Sequence, residues 1–165
     1  NKYLPHDICV SEVKPAAENF HARYNVKQKT YLYKIWNKDY SNPFMRKYSM
    51  HVKEKLNITK MQEASQSFIG EHDFTAFSNA KSKKKSMVRE IYSIDIATNE
   101  GFIDIRVKGN GFLYNMVRRI IGTLVAVGQG EVDAKSIPWI LDSKERSQAG
   151  YIAEACGLYL ENVEF

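Results

Sequence analysis

The sequence predicts an α+β domain whose sheet is largely antiparallel and flanked by helices. Three observations carry that expectation. Alternating apolar and polar runs stand near the start, middle and end of the chain, stretches with apolar residues at helical spacing lie between them, and turn residues separate neighbouring strand-like runs. A length of 165 residues, 44% apolar and 26% charged, is ordinary for one globular unit, so residues 1–165 read as a single domain without internal boundary. A βαβ dinucleotide pattern is disfavoured, because Gly109-Asn110-Gly111 lacks the third glycine and the later acidic partner.

Taken in order, residues 4–13 read as extended, with Ile8 and Val10 spaced by two. Residues 30–36 form a strand with Tyr31, Tyr33 and Ile35 on one face and Leu32, Lys34 and Trp36 on the other. Asn57 or Thr59 can cap a helix that carries Ile58, Met61, Ala64, Phe68 and Ile69, and Gly70 stands where a glycine would end it. Residues 71–77 follow, and the lysine run after them reads as a mobile, polar loop. Residues 89–97 and 102–108 alternate like a hairpin around Thr98-Asn99-Glu100-Gly101. After Gly109-Asn110-Gly111 the apolar period changes to helical through Phe112, Met116, Val117, Ile120, Ile121, Leu124 and Val125, and this helix stops at Gly128-Gln129-Gly130. A short helix over 136–141 has Pro138 in its first turn. Another is expected over 148–155, and a final strand runs to Phe165.

There are 24 Lys and Arg against 19 Asp and Glu, a formal charge of +5, which points to a polyanionic partner. Lys81-Ser82-Lys83-Lys84-Lys85 is a basic run suited to phosphates, although a solvated loop explains it equally well. Basic and aromatic residues interleave in Phe20-His21-Ala22-Arg23-Tyr24 and around Tyr31, where Lys27, Lys29 and Lys34 cluster. Rings among cations suit unstacked bases, while simple packing on a sheet accounts for most tyrosines. Cys9 and Cys156 are isolated, so a reducing, cytoplasmic setting with free thiols is expected. The four histidines are scattered, and no zinc spacing is recognisable. No stretch approaches a membrane span or a signal peptide. The lack of an initiator methionine points to a piece of a longer protein.

No nucleophile triad is visible. His72 beside Asp73 could act as an acid/base pair, but neighbours in sequence usually point apart. Asp7, Asp95 and Asp104 look like solvent-side carboxylates. Arg118 and Arg119 fall at opposite edges of the apolar helix face. Their plainer reading is that the stems pack and the heads stay wet, and the sharper one is that a guanidinium enters a site at the strand-to-helix junction. The residues by themselves describe a basic, aromatic-rich α+β domain that binds nucleic acid, with no identifiable catalytic acid or nucleophile.

Six short motifs, in order, resemble the C-terminal portion of the TruA-type tRNA pseudouridine synthases. They are Leu4-Pro5-His6-Asp7-Ile8, Phe20-His21-Ala22-Arg23-Tyr24, Lys29-Thr30-Tyr31-Leu32-Tyr33, Gly70-Glu71-His72-Asp73-Phe74-Thr75-Ala76-Phe77, Gly111-Phe112-Leu113-Tyr114-Asn115-Met116-Val117-Arg118 and Gly157-Leu158-Tyr159-Leu160. The resemblance implies the pseudouridine synthase fold and isomerisation of uridine to pseudouridine in the anticodon stem-loop of tRNA. It implies neither metal nor organic cofactor, tRNA as partner and a homodimer. It makes Tyr31 the ring that stacks on the target base, Leu158 the apolar residue on the other side of the uracil, and Arg118 the arginine that orients an aspartate nucleophile. Phe20, His21, Ala22, Arg23 and Tyr24, with Lys81, Ser82, Lys83, Lys84 and Lys85, match tRNA-contacting segments. Nothing of the kind attaches to Arg119, which reads as a surface or RNA-facing arginine.

The chain departs from the family pattern in two places. The Gly-Arg-Thr-Asp motif that carries the aspartate does not occur in it, so the expectation is a half-site, inactive alone. Ile152 and Glu154 stand where the family shows a threonine and a proline. The alternative is a non-catalytic RNA-binding module.

Overall fold

The computed structural model describes residues 1–79 and 86–165. Its central strand, β1 (Gln28–Trp36), is followed by β2 (Met50–His51), α1 (Ile58–Gln66), β3 (Gly70–Asp73), β4 (Val88–Asn99), β5 (Phe102–Gly109), α2 (Met116–Gln129), α3 (Ile137–Ser143) and β6 (Leu158–Glu164). The strands form one sheet in the order β2-β1-β5-β4-β3. β6 lies on the same edge of β1 as β2, pairing Gln28 to Tyr33 while β2 pairs Ile35 and Trp36. The β1–β2 pair is parallel and the others are antiparallel. The expected α+β architecture is therefore present.

Period-two alternation decides which sheet face is covered. Along β5, Ile103, Ile105 and Val107 are buried, and across the register they meet Ile35, Tyr33 and Tyr31 of β1. The helices close over this face, bringing Met61, Ala64 and Phe68 together with Ile120, Ile121 and Leu124 in one core. Ion pairs cross the opposite face: Lys34 to Asp104 at 3.1 Å, Arg106 to Glu161 at 3.0 Å and Lys108 to Glu164 at 3.5 Å. Asp104, expected simply to face solvent, is thus a paired carboxylate. Asp95 accepts a hydrogen bond from Ser93, and Asp7 is exposed.

The two longer helices are held in different ways. Asn57 caps α1, its Oδ1 accepting from the Lys60 amide at 3.0 Å. α2 opens on Asn115 in the left-handed region (φ 61°) with no side-chain cap. A missing cap costs about 1 kcal/mol, whereas each fully buried aliphatic side chain contributes about 1.5–3 kcal/mol. With Ile120, Ile121, Leu124 and Val125 all at 0% exposure, burial holds α2 in place.

Three expectations are corrected. Residues 4–13 join no strand; Leu4 N–H to Asn1 O and Ile8 N–H to Pro5 O close turns around their start. The helix expected to run up to Gly70 stops at Gln66, and Gly70–Asp73 form β3 on the edge of β4, followed by a 3-10 turn at Thr75–Phe77; Gly70 does take a positive φ, 98°. The helix expected over 148–155 is absent, because the backbone there bonds outward to α2. The Gly150 amide donates to Thr123 Oγ1 at 2.9 Å and the Ala153 amide to Arg118 O at 3.1 Å. Donors committed to another element cannot build the i to i−4 ladder of a helix.

Candidate active site

Where β1, the loop before α2 and the start of β6 converge, a cleft of about 360 Å³ opens on Tyr31, Phe112, Arg118 and Leu158. β1 directs Tyr31 to the helix-covered side, opposite Val107 of β5 and Leu160 of β6. Phe112 meets the Tyr31 ring edge-on, with centroids 5.2 Å apart at 88°. Partial burial raises the pKa of the Tyr31 hydroxyl, so it stays neutral. That hydroxyl makes no hydrogen bond among the described residues, leaving it available to a ligand. Leu158 pairs with Tyr33 in the β1–β6 ladder and reaches the same cleft from the neighbouring strand.

Arg118 stands at the first turn of α2. Its Nε donates to Ala153 O at 2.6 Å, and Nη1 lies 3.5 Å from Asn115 Oδ1. No carboxylate among the described residues forms an ion pair with it. A close backbone approach makes the anchor possible. A side chain at Gly122 would put its Cβ 1.8 Å from Tyr151 O, so only glycine lets residues 151–153 run against α2 and present the Ala153 carbonyl. The same segment serves the core, where the buried Tyr33 hydroxyl donates to Glu154 O at 2.6 Å.

Arg119, next in sequence, points elsewhere. Its Nε donates to Asn79 Oδ1 at 3.0 Å, and burial, then Arg146, lowers its pKa below the ordinary arginine value. It is half-buried and tied to Asn79. His72 and Asp73 also part ways. The His72 ring meets Ile69 O at 3.0 Å, while Asp73 accepts from Thr75 and pairs with Lys144 at 2.8 Å. Burial opposes the Asp73 carboxylate, but the hydrogen bonds from Lys144 and Thr75 outweigh it and hold its pKa below the usual value. This pair ties β3 to α3 and does no acid/base work on a common ligand.

Of the predicted site residues, Tyr31, Arg118 and Leu158 come together. Phe20 packs edge-on against Phe165 at 5.0 Å, His21 lies 4.3 Å from Tyr24, and Arg23 stands over the Tyr24 ring. With Ala22 they form an exposed segment just ahead of β1, outside the cleft. Lys81, Ser82, Lys83, Lys84 and Lys85 lie outside the described residues. Two contributors were missed from the sequence: Phe112, whose helical spacing placed it on α2 although it precedes the helix, and the Ala153 carbonyl, which no side-chain pattern reveals. Among the described residues no three His, Cys, Asp or Glu side chains gather as metal ligands.

Fold and cleft define a class: an α+β domain whose cleft brings together an aromatic ring, an aliphatic side chain and an anchored guanidinium. The family model described as tRNA pseudouridine synthase matches residues 64–165. The chain is 62% identical over its full length to tRNA pseudouridine synthase A 2 of Bacillus anthracis, covering 67% of that protein. It is 64% identical to tRNA pseudouridine synthase A of Bacillus sp. (strain KSM-64), again all of this chain and 67% of the relative. To the Thermoanaerobacter sp. (strain X514) tRNA pseudouridine synthase A it is 46% identical over 160 residues, 97% of this chain and 66% of the relative. The chain belongs to the tRNA pseudouridine synthase family, and it spans about two thirds of the length of these relatives.

Proposed function

We propose that the chain grips the target uridine for a tRNA pseudouridine synthase, with the aspartate nucleophile supplied by a Gly-Arg-Thr-Asp segment this sequence does not contain. Tyr31 stacks on the extruded base, Leu158 packs on its other side, and Arg118 holds the aspartate ionised and oriented. The glycosidic bond from C1′ to N1 of the base breaks, the base turns, C1′ bonds to C5 instead, and C5 then gives up its proton while N1 ends protonated. Extruding a base takes a few kcal/mol, and contacts in a shaped pocket offset it. Without that aspartate the chain alone forms no pseudouridine.

The observation that carries this reading is Arg118. Its Nε is fixed to the Ala153 carbonyl, yet among the described residues it faces no carboxylate, in a cleft that also holds an aromatic ring with a free hydroxyl. A guanidinium so anchored is arranged to receive an anion. The same reading places the protein in the cytoplasm as a homodimer, which light scattering tests.

The experiment joins the chain to an upstream segment bearing the aspartate and follows pseudouridine formation in tRNA. Arg118→Ala is expected to lower the rate about 100-fold or more, the scale of losing one preorganised electrostatic partner. Full activity in Arg118→Ala would remove the arginine from the mechanism.

A further inference from the structure

Asn115 is the residue at which the loop before α2 turns into the helix, and it does so in the left-handed region, with φ 61° and ψ 7°. Among the described residues, the other non-glycine positions with positive φ are the exposed Glu100 and Lys144. Asn115 differs from both in being half-buried and in lining the cleft that holds Tyr31 and Arg118. A residue that opens a helix ordinarily sits in the extended region and turns its side-chain oxygen onto the free amides of the first turn. Asn57 does this at α1, where it accepts from the Lys60 amide. Asn115 holds the same position at α2 and makes no such bond. Its Oδ1 lies instead 3.5 Å from Nη1 of Arg118, three residues on.

The consequence is geometric. One bond from Nε to the Ala153 carbonyl, at 2.6 Å, leaves the planar guanidinium able to swing about that bond, and a second acceptor on Nη1 stops the swing. Ala153 belongs to the segment packed on α2 and Asn115 to the loop ahead of it, so the fork is held from two separate parts of the chain. Both acceptors are uncharged, so they orient the cation without neutralising it. What remains is Nη2 with one proton of Nη1, the two-nitrogen edge that a carboxylate takes bidentately. Glycine, asparagine and aspartate all suit a left-handed backbone, and of these three only asparagine brings a neutral acceptor with it.

We infer that Asn115 is a positioning residue for the reaction: its Oδ1 sets the plane of the Arg118 guanidinium so that the Nη1–Nη2 edge faces the aspartate nucleophile. The inference rests on the proposed role of Arg118 and adds the group that aims this arginine from inside the cleft. Asn115 acts through the arginine alone. The unusual backbone and the unused capping position are then two sides of one arrangement, in which the side chain is given to the guanidinium rather than to the helix.

The test follows pseudouridine formation in an anticodon stem-loop hairpin by the chain completed with an upstream segment bearing the aspartate, at a temperature where every variant is folded. Asn115→Gly keeps the left-handed turn and removes the acceptor. Its kcat should fall about 10-fold, the lower end of what a hydrogen bond to a charged group is worth, with KM unchanged. Asn115→Asp keeps both turn and acceptor but gives the guanidinium an internal anion that competes with the nucleophile, so its kcat should fall at least as far. On an Arg118→Ala background Asn115→Gly should bring no further loss, because no guanidinium is left to aim. A residue needed only for the backbone turn gives the opposite pattern, with Asn115→Gly and Asn115→Asp both at the native rate. That pattern overturns the inference, as does a second loss of the same size on the Arg118→Ala background. Failure of the reading of Arg118 shows separately, as full activity in Arg118→Ala alone.

Discussion

At the Trp36 end of β1 the aromatic side chain is closed in. Phe102 lies 4.8 Å from the Trp36 ring and Tyr40 5.9 Å, and the indole N–H donates to Tyr40 O at 2.7 Å. The nearby cation is spent as well, since Lys34 pairs with Asp104 and lies over Phe102. At the Tyr31 end, among the described residues, the ring has one edge-on partner and a hydroxyl without a hydrogen bond, and the arginine across the cleft forms no ion pair. A pocket of about 480 Å³ also opens near the Trp36 end, between Lys38 and the Thr98 to Gly101 turn. Both ends mix rings with cations in the sequence. What separates structure from function is whether those groups have found partners within the chain.

Crossed substitutions sharpen this contrast. Trp36→Ala should destabilise the fold by about 3 kcal/mol in urea unfolding, while the molecules that remain folded keep their affinity for the hairpin. Tyr31→Ala should do the reverse, leaving most of the stability and reducing turnover of the completed enzyme about 10- to 100-fold, the worth of one base stack. Equal stability losses at the two positions would erase the distinction.

A somewhat smaller effect is expected at the anchor that keeps the Tyr31 end open. Gly122→Ala places a methyl where Tyr151 O already stands, so residues 151–153 must shift and Arg118 loses its fixed acceptor. Overpacking of this kind destabilises by about 2 kcal/mol. The loss in turnover should exceed what unfolding explains, measured at a temperature where the variant is fully folded.

The smallest effect concerns Asp73, whose partners are all internal. Its pKa is depressed in the fold, so its contribution is present above the unfolded value near 4 and is lost as pH falls through the folded value. Asp73→Asn should therefore lower Tm by about 2 °C at neutral pH and converge on the native protein in acid. A gap that persists below pH 3 would show that shape rather than charge matters there.

The strands were legible because their signal is local. Tyr31, Tyr33 and Ile35 alternate on β1, and Ile103, Ile105 and Val107 do so on β5, and period two is enough to define a covered face. Residues 148–155 show where local reading stops. Their composition allows a helix, but Gly122 and Gly150 permit a backbone approach that no propensity records, and hydrogen bonds to α2 then outcompete the helix. Tyr31, Arg118 and Leu158 came to notice through motif resemblance, whereas the anchor that aims the arginine is a main-chain oxygen and leaves no mark on the side-chain pattern. Phe112 was visible as a residue but misassigned, since helical spacing continues for one turn beyond the helix itself.

β1 is laddered on both edges, to β5 from Lys29 to Trp36 and to β6 from Gln28 to Tyr33. The Tyr31 amide and carbonyl therefore belong to the part of the molecule whose opening requires dismantling the sheet, and its backbone protons should be among the slowest to exchange with solvent. On the proposed reading, a ring mounted there does not travel to meet a base. The reorganisation would then fall to the nucleic acid, which would have to bend and unstack across a stationary platform, so its ease of deformation would become a criterion of choice at this end of the protein.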